Sequence, residues 1–190
     1  MRRAASRVAL ALLLLGTAAA SQEKFHARLL TAAELRQAES QLTALVGNSQ
    51  AEYDAQQSFL LEASGQPALL LAAVKYPAPH NAYDCALGFV PKGAPPYLLA
   101  TIGTGEREAV SCTALSGLGF LANAARPMPD IALVYDSHSP NFPVSTPLLL
   151  RWDAHAGRYA IDEAVSRKLG DLEGTETIAG IRKALGAASR

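Results

Sequence analysis

SFLLEASGQPALLLAAVKY, residues 58–76, reads as strand, turn, strand. Two apolar runs rich in β-compatible residues flank Ser64-Gly65-Gln66-Pro67, a cluster that favours chain reversal over continuation. Pro77 and Pro79 end the second run. The same texture continues downstream: residues 85–90 and 97–102 are predicted strands separated by the Pro/Gly-rich stretch 91–96. Residues 130–135 (DIALVY), 147–152 (PLLLRW) and 158–161 (RYAI) are three more. Asp153-Ala-His-Ala-Gly157 joins the last two as a hairpin, with Gly157 suited to a positive φ. Short strands joined by short turns imply antiparallel pairing. Residues 111–123 are apolar with three small residues and read equally as a buried strand or a short helix.

Helices bracket this β region. Residues 31–46 carry the capping-box spacing Thr31-Ala-Ala-Glu34, followed by Leu35, Ala38, Leu42 and Leu45 at helical spacing. Gly47-Asn48 is a helix stop. Residues 49–57 are ambiguous, since Ser49 and Glu52 have the spacing to cap a second short helix. Asp162 is placed to cap a helix running to Lys168 with Gly170 as its stop, and residues 176–185 put Ile178, Ile181 and Leu185 on one face. The fold class expected is therefore α+β: an N-terminal helix, a mainly antiparallel sheet of hairpins and meanders, and short C-terminal helices. A weak internal echo runs through it. Gln66-Pro67-Ala68-Leu69-Leu70-Leu71 and Met128-Pro129-Asp130-Ile131-Ala132-Leu133 share a turn–Pro–apolar-strand pattern about 62 residues apart.

Residues 1–20, MRRAASRVALALLLLGTAAA, have the organisation of a cleaved signal peptide. Arg2, Arg3 and Arg7 precede an apolar run from Val8 to Leu15, and Ala18 and Ala20 supply small residues at −3 and −1. The run falls short of the roughly 20 residues that cross a bilayer. The expectation is a single domain over residues 21–190, in the periplasm or secreted, with no integral membrane segment after cleavage. Loss of the three arginines leaves 14 basic against 17 acidic side chains. That balance points away from nucleic acid and anionic membrane as partners. Cys85 and Cys112, an even pair in an oxidising compartment, are predicted to form one disulfide.

Motifs for chemistry are sparse. No G-x-S-x-G run is present, and Ala114-Leu-Ser116-Gly-Leu lacks the first glycine. Ser137 and His138 adjoin, but neighbours on an extended chain point to opposite faces. His26, His80, His138 and His155 are too scattered for a zinc pair, so no metal or cofactor is predicted. Asp153-x-His155-x-Gly157 begins like a calcium loop, yet the twelfth position is Ala164. Glu106, Glu108, Asp130, Asp136 and Asp153 fall in or near predicted loops, without a preferred pair. Gly103-Thr-Gly105 is followed by acidic residues that would repel phosphate.

Two stiff segments are the candidate binding surface. Residues 136–147, read as a polar loop with Pro140, Pro143 and Pro147, offer Asp136, His138, Asn141 and Phe142. Residues 77–84 offer His80, Asn81 and Tyr83, tethered at the end by Cys85. Prolines reduce the entropy lost when a loop is held for recognition. These features favour a non-enzymatic binding, inhibitor or immunity-type protein acting on a protein or envelope component. The alternatives are a small hydrolase of glycan or peptidoglycan using two loop carboxylates, and a structural envelope protein.

Overall fold

The computed structural model describes residues 25–79, 82–122 and 126–188. The predicted signal segment and the candidates His80 and Asn81 lie outside the described residues.

The chain builds two antiparallel sheets rather than one. The first, in spatial order β1 to β5, comprises β1 (Phe25–Leu29), β2 (Glu52–Ala63), β3 (Leu69–Tyr76), β4 (Asp84–Pro91) and β5 (Tyr97–Ile102). The second, also in sequence order, comprises β6 (Ser111–Leu121), β7 (Asp130–Ser139), β8 (Phe142–Asp153) and β9 (Arg158–Ile161). Helix α1 (Ala32–Val46) packs on the outer face of the first sheet. Helices α2 (Glu163–Gly170) and α3 (Ile178–Ala188) pack on the outer face of the second.

Strand alternation explains this layering. Leu69, Leu71 and Ala73 of β3 face Ile131, Leu133 and Tyr135 of β7 across the inter-sheet core. The intervening Leu70 and Ala72 turn outward to Leu42 and Ala38 of α1, while Ala132 and Val134 turn outward to Leu169 and Ile181. Both central strands are therefore apolar on both faces, and so read as unbroken apolar runs. The echo of 62 residues is structural as well: β3 and β7 are each the second strand of a four-strand meander, β2–β5 and β6–β9.

Cys85 of β4 and Cys112 of β6 form the expected disulfide, which joins the two sheets. Beside it Thr101 Oγ1 lies 2.9 Å from both the Cys85 carbonyl oxygen and the Tyr135 hydroxyl. With a single proton, Thr101 donates to the carbonyl and accepts from Tyr135. Arg107, nearly buried in the short connector between the sheets, donates through Nε to the Thr101 carbonyl at 2.7 Å. Its two terminal nitrogens reach the Glu163 carboxylate of α2 at 2.8 and 2.9 Å. One guanidinium thus ties β5 to the helix layer behind the opposite sheet, and it holds the Glu163 carboxyl below its ordinary range.

Several expectations need correction. Residues 136–147 are not a loop: β7 runs to Ser139, Pro140–Asn141 make a two-residue turn, and β8 starts at Phe142. Prolines enter β8 because β9 pairs only with Leu150–Asp153, leaving the outer side of the earlier residues unpaired. Residues 52–57 belong to β2 rather than to a helix, and 111–121 form a strand. The latter carries two register shifts near its small residues. Strand β1 was not predicted; it is five residues long and pairs with β2 across α1. Gly170 is the last residue of α2 rather than its stop, and the final helix runs Ile178–Ala188. Gly157 has the predicted positive φ, 63°.

The capping box of α1 is present as expected. The Glu34 N–H donates to Thr31 Oγ1 at 3.3 Å, and the Thr31 N–H donates to the Glu34 carboxylate at 2.8 Å. Arg28 of β1 adds two contacts at 2.8 and 2.6 Å. The arginine, followed by the Thr31 donors, lowers the Glu34 carboxyl from 4.5 to about 2. A lowered pKa in the folded state means that stability is present in full above pH 4.5 and is lost as pH falls toward about 2. Thermal melts across that interval are expected to show an acid-dependent loss that is smaller in Glu34→Gln. An identical pH slope in the two proteins would refute this assignment.

Candidate functional site at the disulfide end

The disulfide end of the sandwich is where the two segments singled out in the sequence meet. Tyr83, just before β4, receives the Cys112 N–H on its carbonyl at 2.8 Å and donates its own N–H to Ser111 Oγ at 3.2 Å. Ser111 is cross-strand from His138. His138 Nδ1 lies 3.3 Å from Thr113 Oγ1. Tyr83 and His138 are thereby held on either side of the start of β6, although 55 positions separate them in sequence. One register step further along β7, Ser139 pairs with Phe142, which is 57% exposed at the hairpin tip beside Asn141. Asp136 lies on the same outward face as His138, cross-strand from Ser145.

A cavity of about 260 Å³ opens at this end, between the sheets. It lies beside the shift in register of β2 against β3 between Asp54 and Phe59. Ala73, Cys85, Leu115 and Tyr135 line its apolar part, while Glu52, Asp54, Lys75 and Thr113 supply its polar part. Lys75 Nζ sits 3.2 Å from Glu52 and 4.8 Å above the Tyr83 ring, so one cation holds the tyrosine ring beside the cavity. Burial pushes the Tyr135 hydroxyl far above the ordinary tyrosine range; it is a neutral hydrogen-bonding group at any physiological pH. Lys75 and Thr113 were not identified from sequence. Lys75 reads only as the polar end of an apolar strand, and its neighbour Tyr83 is fixed by pairing between the two sheets.

The carboxylates raised as acid–base candidates are dispersed. Glu106 pairs with Arg167. Asp130 pairs with Arg126 at 2.7 Å, with Arg151 on its other oxygen at 3.8 Å. Asp153 accepts the N–H groups of Ala156 and His155 in its own hairpin turn, which lowers its carboxyl. That direction is opposite to the upward shift a general acid needs. Ser137 is buried and His138 exposed, on opposite faces as strand geometry dictates. Ser116 donates to the Val134 carbonyl at 3.1 Å. Among the described residues no cluster of three or more His, Cys, Asp or Glu side chains has the arrangement of a metal site. No helix among them is long and apolar enough to cross a membrane. Comparison with protein-family models, with curated proteins and with solved structures returns no match.

Proposed function

We propose that the chain is an exported, non-enzymatic binding protein of the inhibitor or immunity type, and that the disulfide end engages a protein partner. Phe142 carries this reading. A large aromatic side chain stands 57% exposed at the tip of the β7–β8 hairpin, and the end of β7 pairs at Ser137 with Cys112 of β6, the strand that the disulfide joins to the opposite sheet. An aromatic anchor on a stiff support loses little conformational freedom on binding, which is the usual character of an interface hot spot. Tyr83, 36% exposed and braced by Lys75, provides a second anchor, with His138, Asn141 and Asp136 as polar surroundings. The separate engagement of Glu106, Asp130 and Asp153, each with partners of its own, supports a binding role over glycan hydrolysis.

The test is affinity capture with tagged Ser21–Arg190 from periplasmic extract, followed by a binding titration with whatever is captured. Pro143 belongs to β8, so the perturbation is confined to Phe142→Ala and Tyr83→Ala. Each side chain is exposed, and unfolding temperatures should be unchanged. One stoichiometric partner whose affinity falls about 30-fold with Phe142→Ala is expected, corresponding to roughly 2 kcal/mol for a hot-spot aromatic. Equal affinity for both variants, or no partner for the folded protein, would overturn the proposal.

A further inference from the structure

A cavity of about 710 Å³ lies at the opposite layer of the molecule, between α2, α3 and the outer face of the second sheet. Its accessible apolar lining is Leu121 of β6, Val165 of α2, Leu185 of α3 and Leu172, which is half exposed, over the buried Leu149 and Leu169. Three cations, Arg151, Lys168 and Arg182, line the same cleft. Arg151 is occupied by Asp162 and Asp130. Asp130, the lining carboxylate, is itself held by Arg126. Lys168 and Arg182 are exposed and take part in no ion pair among the described residues, and Arg182 makes only a long contact of 3.5 Å to the Phe120 carbonyl. The cleft therefore combines an apolar lining with two uncompensated positive charges.

The floor is closed to main-chain recognition at its centre. The Leu149 N–H donates to Ser166 Oγ at 3.0 Å, and the Leu149 carbonyl accepts the Asp162 N–H at 2.8 Å. A peptide strand has nothing to pair with there, whereas an alkyl chain needs only the apolar walls of the cleft. The volume lies within the range of small-ligand pockets.

We infer that this cleft binds a free single-chain anionic amphiphile, an alkyl chain ending in an oxyanion such as a carboxylate. The chain rests on Leu121, Val165, Leu172 and Leu185, which keep exposed surface in the cleft, and the headgroup is drawn to Lys168 and Arg182. The occupant is set by charge complementarity: a cationic or neutral amphiphile would gain the apolar contact and forgo the attraction.

Calorimetric titration of the purified protein with nonanoate, decanoate and undecanoate, below their micellar concentrations, tests this. Affinity is expected to rise about fourfold per methylene until the cleft is filled. Decyltrimethylammonium should bind at least tenfold more weakly than decanoate. The exposed double variant Lys168→Glu/Arg182→Glu should fold normally by near-ultraviolet circular dichroism and lose about tenfold in decanoate affinity. Equal binding of the two headgroups, indifference to the double charge reversal, or no binding would each overturn the inference. So would association with anionic phosphatidylglycerol vesicles without binding of monomeric decanoate, which would make the cleft a bilayer contact. A dimer in sedimentation that decanoate fails to dissociate would assign the face to a second copy of the chain.

Discussion

Replacing the disulfide by Cys85→Ala/Cys112→Ala is expected to destabilise the protein by about 3–4 kcal/mol and to lower its melting temperature by about 10 °C. The cross-link spans 27 positions, and the chain-entropy account of such a loop gives about this value. Structure adds a reason to expect the full amount. The bond joins β4 of one sheet to β6 of the other, and between those strands the chain contributes only β5 and the connector containing Arg107. Both sulfurs are buried in the inter-sheet core, so reduction leaves two thiols in an apolar setting without opening a cavity. Reduction of the wild type should therefore lower the melting temperature less than the double alanine variant, which also removes two buried sulfur atoms from the core. A loss below 1 kcal/mol in both would mean that the core and the Arg107–Glu163 tie already fix the sheets, leaving the cross-link redundant.

The seat of α1 gives the second large effect. Gly88 lies on the outward face of β4, and a Cβ built there would stand 2.2 Å from Leu42 Cδ1, 2.8 Å from Cδ2 and 3.0 Å from Cγ. Leu42 is fully buried and has nowhere to swing, so Gly88→Ala is expected to cost about 2 kcal/mol by overpacking. Leu42→Ala alone should cost about 3 kcal/mol, by lost transfer energy and an unfilled cavity. The double variant should cost about 3 kcal/mol rather than the sum, because the new methyl group occupies part of the space that Leu42 vacates. Chemical denaturation of the four proteins measures this cycle. Simple additivity would show that the helix shifts to accept the methyl group and that the close approach is not a constraint.

Much of the architecture was legible in local pattern. Thr31 and Glu34 announce the start of α1, Gly157 the last hairpin, and the apolar runs 69–74 and 131–135 the two central strands. The division into two sheets was not, because nothing local distinguishes the partner of an apolar strand face. Leu70 and Leu71 look alike in sequence, yet one meets a helix and the other the opposite sheet. Proline misled at positions 143 and 147, where it signals a break unless one strand edge is known to be unpaired. The proposed binding surface draws on Tyr83, His138 and Phe142, which the sequence singles out. Lys75 and Thr113 enter it only through contacts between segments far apart in sequence. For the cleft behind the second sheet, the apolar face of α3 was apparent, but the gap between it and α2 arises because α2 seats on β8 and α3 on β6 and β7.

The order of strands also bears on the route by which the protein reaches this arrangement. Within each sheet every neighbouring pair of strands is consecutive in the chain, and only β1 and β2 are separated by a helix. Each meander can therefore zip from its own hairpins with short loop closures, ahead of any contact between the sheets. The Cys85–Cys112 cross-link and the Arg107 tie need both halves already assembled and docked. Their interactions belong after the rate-limiting barrier, so removing them should leave the refolding rate of the reduced chain almost untouched and speed the loss of the native state. The bond that joins the sheets acts on this view as a brake on escape, prolonging the lifetime of a fold that local pairing forms quickly.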